Sequence, residues 1–278
     1  MAAIVQPAAG LRLAGTYERT VAASLERVWE NVHDWEHLPS LHSAAFCEIE
    51  LEEQGPWGWR ARVQTPPRDA VQELVIELRR EDDAERYHAR TLRGPGTGAD
   101  TVTTLTPESG VATRVEVAFW VPVPDRAQAE AIGKGMIALY TQLWDEDEAM
   151  MIHRQAFLDG RAPGVARPGV RASVALGAEA ELRTRLPVVI DVGGEPFRIL
   201  EVDGALVAHS TVCPHLGGPL DDAAVEDGHV ICPWHGYRFS LRDGSNPEHP
   251  RCRMLAPAQI EVDASGDALL TFGQQEPS

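Results

Sequence analysis

The chain has 278 residues, enough for two domains of ordinary size, and its 44% hydrophobic and 24% charged content is that of a globular protein. No apolar run approaches the roughly 20 residues that cross a bilayer, so no membrane span is expected. A net charge of −17 repels nucleic acids and anionic lipid surfaces alike, which leaves small molecules and other proteins as partners.

The first residues, MAAIVQPAAGLRLAG, lack the basic start and continuous apolar stretch of a secretion signal, which predicts a cytoplasmic protein. In that reducing compartment the four cysteines point to metal or redox chemistry before disulfides. Residues 16–21 (TYERTV) read as a strand, and Ser24 caps a predicted helix running through Val28 and Trp29 toward Trp35, with Pro39 as its stop. From Phe46 to Pro122, runs such as WGWRARVQT, VQELVIELRRE and ATRVEVAFWVP alternate with Gly/Pro turns and predict an antiparallel sheet. Within it, GPGTGA (94–99) meets a loose dinucleotide pattern, but a strand-like run follows where a helix is required, so it reads as a hairpin turn. Asp125 then caps a long helix reaching about Phe157, with Ile132, Met136, Leu139, Leu143 and Met150 at helical spacing.

That order, over residues 12–160, resembles the START-like helix-grip fold, in which a curved antiparallel sheet wraps the C-terminal helix and leaves an apolar cavity. The stretch GRAPGVARPGVR reads as a linker, placing a helix-grip domain at 1–160, the linker at 161–172 and a second domain at 173–278. From Glu181 to Gly273 short apolar strands alternate with turns and show no helical period, as in a small all-β domain. The expected class is α+β.

The second domain contains CPHLGGPLDDAAVEDGHVICPWHGYRF. Cys213-x-His215 and Cys232-x-x-His235 stand with sixteen residues between them, so each pair carries one thiolate and one imidazole. A Rieske [2Fe–2S] centre needs two thiolates on one iron and two imidazoles on the other. A mononuclear zinc site also takes two Cys and two His, but zinc motifs group Cys with Cys and His with His. The glycines and prolines after each pair suit tight loops with backbone N–H groups pointing at bridging sulfides. Residues 173–273, with HGYRF, resemble the Rieske family. Respiratory members join the two ligand loops by a disulfide; Gly218 and Trp234 stand at those positions here, which implies the lower-potential oxygenase or ferredoxin type. Cys47 and Cys252 read as free thiols without a metal role, and His209, His229 and His249 receive none.

The first domain holds a second candidate, Asp34-x-x-His37-x4-His42, at the predicted end of its first helix. Two imidazoles and a later carboxylate make the facial triad of a non-haem iron(II) oxygenase. The third ligand is sought among Asp145, Glu146, Asp147 and Glu148. At about 100° per residue, Asp147 lies within roughly 30° of the centre of the apolar stripe, Glu146 roughly 70° away, and Asp145 and Glu148 outward. A core-facing acid is costly unless paired or bound to metal, which selects Asp147 with Glu146 as fallback.

Glu30, Asn31, Asp34, His37 and His42 match the motif of Rieske non-haem iron oxygenases, and the chain resembles that family with its domain order reversed, the catalytic part first. The resemblance implies a [2Fe–2S] cluster on Cys213, His215, Cys232 and His235, a mononuclear iron(II) on His37, His42 and Asp147, and an Asp34 that hydrogen-bonds a ligand histidine and links the two centres. It further implies a terminal oxygenase that activates dioxygen to hydroxylate or demethylate a small apolar or aromatic substrate, working as a homo-oligomer, a trimer. With no flavin or nicotinamide site apparent, electrons are expected from a separate reductase or ferredoxin. The alternative is a non-enzymatic Rieske electron-transfer protein fused to a START-like ligand-binding domain.

Overall fold

The computed structural model describes residues 10–81, 84–160 and 173–271; the expected linker at 161–172 lies outside them, as do residues 1–9 of the stretch read for a secretion signal. Among the described residues no helix is long and apolar enough to cross a membrane. Packing divides the chain into two units, Met1–Ile152 and His153–Ser278.

In the first unit the strands are β1 (Arg12–Val21), β2 (Glu48–Gly55), β3 (Gly58–Thr65), β4 (Gln72–Arg80), β5 (Arg86–Arg93), β6 (Asp100–Ser109) and β7 (Ala112–Val121). They form one antiparallel sheet in the order β1-β7-β6-β5-β4-β3-β2, a meander whose first strand closes against its last. Alternation sets the faces: Val115, Val117, Phe119 and Val121 of β7 are buried, while Arg114 and Glu116 between them look outward. The GPGTGA segment is the turn joining β5 to β6, as its strand-like sequel requires.

Between β1 and β2 lie two short helices, α1 (Leu25–His33) and α2 (Leu38–Leu41). The Ser24 hydroxyl accepts a bond from the Arg27 N–H at 3.3 Å and caps α1, which buries Val28 and Val32. The helix ends earlier than its pattern predicts, at His33, where the Asp34 N–H closes onto the Glu30 and Asn31 carbonyls. Pro39 is not the stop either. It sits in the first turn of α2, where its missing N–H would have had no partner. This short helix has His37 at one end and His42 at the other.

The long helix α3 (Arg126–Leu158) begins as predicted, with the Asp125 carboxylate accepting from the Gln128 N–H at 2.7 Å. Its buried line is Ala129, Gly133, Trp144, Asp147, Met150 and Met151, while Ile132, Met136, Leu139 and Leu143 of the expected stripe are only half-buried. Gly133 explains the shift. A Cβ there would stand 2.1 Å from the Ala14 carbonyl oxygen, beside the irregularity at Leu13/Gly15 of β1, so the helix meets the sheet backbone to backbone.

The second unit contains β8 (Ser173–Ala178), α4 (Glu179–Arg183), β9 (Val188–Val192), β10 (Glu195–Val202), β11 (Ala205–Ser210), β12 (Val225–Glu226), β13 (His229–Ile231), β14 (Arg238–Ser240), β15 (Ala258–Val262) and β16 (Asp267–Thr271). A six-stranded sheet, ordered β8-β16-β15-β11-β10-β9, accompanies a three-stranded one, β12-β13-β14. Leu182, Phe197, Ile199, Ala208 and Leu270 fill its core. The five-residue α4 is the one helix lying wholly within the described part of this small all-β domain, too short to leave a period in the sequence.

Two glycines two residues apart on α3 separate packing from propensity. Gly133→Ala is expected to destabilise the protein by about 1–3 kcal/mol, because the helix must lift off β1. Gly135→Ala, where nothing lies within 4 Å of the new Cβ, should be neutral or gain up to about 1 kcal/mol. Urea unfolding of both variants checks the pair, and equal effects would contradict the close approach.

Candidate metal centres

Three side chains far apart in sequence converge in the first unit. The two ends of α2 deliver His37 and His42, and the buried line of α3 delivers Asp147; all three are buried, with one donor atom of each lying within 4.8 Å of the others. The Asp147 Oδ1 is 3.1 Å from His42 Nε2 and 3.5 Å from His37 Nε2. The Asn31 side-chain amide, from α1, donates to the same carboxylate at 2.9 Å and fixes its orientation.

The outward nitrogens are treated differently. His42 Nδ1 lies 2.6 Å from the Glu146 carboxylate. A proton on Nδ1 donated to that carboxylate leaves the Nε2 lone pair facing Asp147, the tautomer that a metal requires. Burial disfavours a charged His42, but hydrogen bonds and charge from Asp147 and Glu146 outweigh it and raise its pKa above the ordinary value. His37 Nδ1 is buried without a hydrogen-bond partner among the described residues, and the Asp34 carboxylate stands 3.6 Å away, an ion-pair distance. Three carboxylates, of Asp34, Glu146 and Asp147, thus stand against two imidazoles, a donor-rich site that suits a divalent cation. The donor set is that of a 2-His-1-carboxylate centre, and iron(II) fits it. Of the neighbouring acids, Asp145 is exposed and pairs with Arg19, while Glu148 is half-buried against Arg19 and the Ala22 N–H.

A cavity of about 140 Å³ opens beside these donors. Trp59, Trp144, Phe46, Ile76 and Leu78 supply apolar wall, and Tyr87 and Tyr140 add two phenols that no sequence period had marked.

The second unit builds its site from two matching turns. After β11, the Cys213 N–H bonds to the Gly218 carbonyl and the Gly217 N–H returns to the Cys213 carbonyl; after β13, Cys232 does the same with Tyr237 and Gly236. Gly217 and Gly236 take positive φ, of +83° and +70°, which these turns require. Where the turns meet, a Cβ on Gly218 would come within 2.9 Å of the Cys232 sulfur, so only glycine lets them close. The thiols pair with each other, and so do the imidazoles. Cys232 is pulled down by its hydrogen bond with Cys213, by His235 and by the Trp234 and His235 N–H groups, whereas Cys213 is pushed up by Cys232 and by burial. The rings of His215 and His235 lie 4.6 Å apart. Among the described residues these four do not form a group able to share a single ion, as a zinc site would. Two thiols together and two imidazoles together fit a two-iron cluster instead.

Around them, Tyr237 stacks on His215 at 4.5 Å and His249 stacks on Tyr237 at 4.0 Å, a neighbourhood that gives His249 a place unassigned in the sequence. His153, counted with this unit, reaches the Gly217 carbonyl at 3.0 Å. His209 is buried against the Ser210 carbonyl and held neutral, its pKa lowered to about 4 by burial, and His229 bonds to the Asp227 carbonyl. Cys252 is half-buried, and its thiol is pushed up by burial and by nearby Cys232; Cys47 is buried in the first unit.

Comparison with known proteins agrees with this division. Residues 172–259 match the Rieske [2Fe-2S] domain family, and residues 12–146 match the polyketide cyclase / dehydrase and lipid transport family. The mouse protein apoptosis-inducing factor 3 is 28% identical over 74 residues, 27% of this chain and 12% of that protein. The oxygenase component of dicamba O-demethylase from Stenotrophomonas maltophilia is 31% identical over 80 residues, 27% of this chain and 23% of that protein. The match thus spans under a quarter of either relative's length. Among solved structures, the Zhui aromatase/cyclase from a Streptomyces species aligns over 52% of this chain and 96% of its own, with 13% identity and a TM-score of 0.43. Norcoclaurine synthase from Thalictrum flavum aligns over 55% of this chain and 96% of its own, with 16% identity and a TM-score of 0.40.

The chain therefore combines a START-like helix-grip domain with a following Rieske domain. A Rieske domain implies a [2Fe–2S] cluster.

The two acids beside His42 have separable roles. Glu146→Ala is expected to weaken anaerobic iron(II) binding at the triad by about 10- to 100-fold, since it only frees the His42 ring. Asp147→Ala should abolish that binding, and equilibrium dialysis distinguishes them. Loss of binding in Glu146→Ala with normal binding in Asp147→Ala would reverse the assignment.

Proposed function

We propose that this protein is a terminal oxygenase of the Rieske non-haem iron type. The observation that carries the reading is the buried convergence of His37, His42 and Asp147 beside an apolar cavity, in a chain that also has a Rieske domain. When bound, the cluster on Cys213, His215, Cys232 and His235 would deliver single electrons, and iron(II) at the triad would activate dioxygen for hydroxylation or demethylation.

The chain's own residues do the rest. His37, His42 and Asp147 hold the ion by three donors and leave positions open. Asn31 aims the Asp147 carboxylate, and Glu146 fixes the His42 tautomer. Trp59, Trp144, Phe46, Ile76 and Leu78 exclude water and receive an apolar substrate. Electrons come from a separate reductase or ferredoxin. The working unit is a homo-oligomer, a trimer on the family resemblance, in which Asp34, beside His37, receives the cluster of a neighbouring chain; such head-to-tail contacts close as a ring.

Single turnover with isotopically labelled dioxygen tests this. Chemically reduced protein with a single-ring aromatic substrate is expected to place label in the product. Cys213→Ser and Asp147→Ala should each be inactive alone, the latter with its cluster spectrum intact, and should regain activity when mixed under subunit exchange. Reoxidation of the cluster in air with no labelled product, and no iron at the triad, would favour the electron-transfer alternative.

A further inference from the structure

We propose that the cavity beside His37, His42 and Asp147 is built for a small single-ring molecule that carries no negative charge and has one oxygen acceptor, an aryl ether or a phenol, which takes its hydrogen bond from Tyr87 and Tyr140. As a substrate class this rests on the oxygenase reading; as a binding preference it stands apart from it.

Size comes first. At about 140 Å³ the cavity is close to the roughly 150 Å³ that accommodates benzene in an apolar interior, well below the space a drug-sized ligand needs. Charge comes next. No Lys or Arg lines the cavity, and Asp34 and Asp147 do, so an anionic ligand would find repulsion and no counter-ion.

Away from Asn31, Asp34 and the triad, the polar groups lining the cavity are the hydroxyls of Tyr87 and Tyr140. Tyr87 lines the cavity from β5 and Tyr140 from α3, where Phe119 meets its ring edge-on at 4.8 Å and holds it in place. Behind them on β6 stand Thr101 and Thr103, both buried; Thr103 is the cross-strand partner of Tyr87 and fully buried, and its hydroxyl has no hydrogen-bond partner among the described residues. Hydroxyls on the apolar side of this interior are costly unless something uses them. Burial pushes the Tyr140 phenol up to about 12 and the Tyr87 phenol higher, and the Asp147 charge adds to both, so each keeps its proton. Both tyrosines line the cavity, so each phenol O–H can donate to an acceptor placed there. A donor pair of this kind discriminates against ligands that lack an acceptor, because binding them leaves buried donors unpaired.

Calorimetric titration of the full-length protein, kept anaerobic and without reductant, with anisole, ethylbenzene and benzoate tests the proposal. Anisole is expected to bind roughly three- to tenfold more tightly than ethylbenzene, its near-isostere, with benzoate weaker than either. Tyr87→Phe and Tyr140→Phe should each lower anisole affinity severalfold and leave ethylbenzene affinity unchanged, which also reports that the cavity is intact. Equal affinities for anisole and ethylbenzene in the unaltered protein, tightest binding by benzoate, or no binding by any of the three would overturn it. Since no turnover is measured, a positive result stands even where the labelled-dioxygen experiment fails.

Discussion

A carboxylate cannot rest uncompensated in an apolar interior, and Asp147 is buried on the inner side of the helix that closes the first domain. Its neighbours follow from that constraint. Asn31 donates to it from α1, the two ends of α2 turn imidazoles toward it, and Glu146, one residue earlier, steadies one of those imidazoles from behind. Earlier on the same helix, the bare backbone of Gly133 lets α3 meet β1 closely. Position and chemistry are therefore coupled: the acid is buried where an amide donor and two imidazoles meet it.

The two candidate centres are built by different means. The candidate cluster donors come from two copies of one local device, a turn in which the cysteine N–H bonds to the carbonyl five residues on and the cysteine carbonyl accepts from the glycine four residues on, so the spacing along the chain is the site. The triad is assembled from two helix ends and a helix face separated by a hundred residues, and only tertiary packing makes it. A turn holds backbone N–H groups toward sulfur; helix ends and an apolar wall hold side chains around an ion and a cavity.

This difference decides how much could be read in advance. Cys213, His215, Cys232 and His235 were legible because their geometry is local. His37 and His42 were legible as a spacing, and Asp147 from its angle on the helix, although the expected stripe around it ran through Leu139 and Leu143, which are only half-buried. In the sequence Glu146 is a fallback ligand, whereas its carboxylate faces the far nitrogen of His42; helical angle gives direction but not the rotamer that reaches a neighbouring ring. Pro39 looks like a stop but opens α2, since sequence alone does not say whether a proline follows one helix or begins the next. Tyr87 and Tyr140 left no signal at all. An inward tyrosine in a strand or helix looks like any core aromatic until the cavity is seen.

The most direct test of two separate metal centres is iron and acid-labile sulfide per chain after anaerobic reconstitution with iron(II). The cluster contributes two irons and two sulfides and the triad one further iron, so the unaltered protein should give three irons to two sulfides, and Asp147→Ala two to two with its cluster spectrum unchanged. Two irons to two sulfides in both proteins would contradict a mononuclear site at His37, His42 and Asp147.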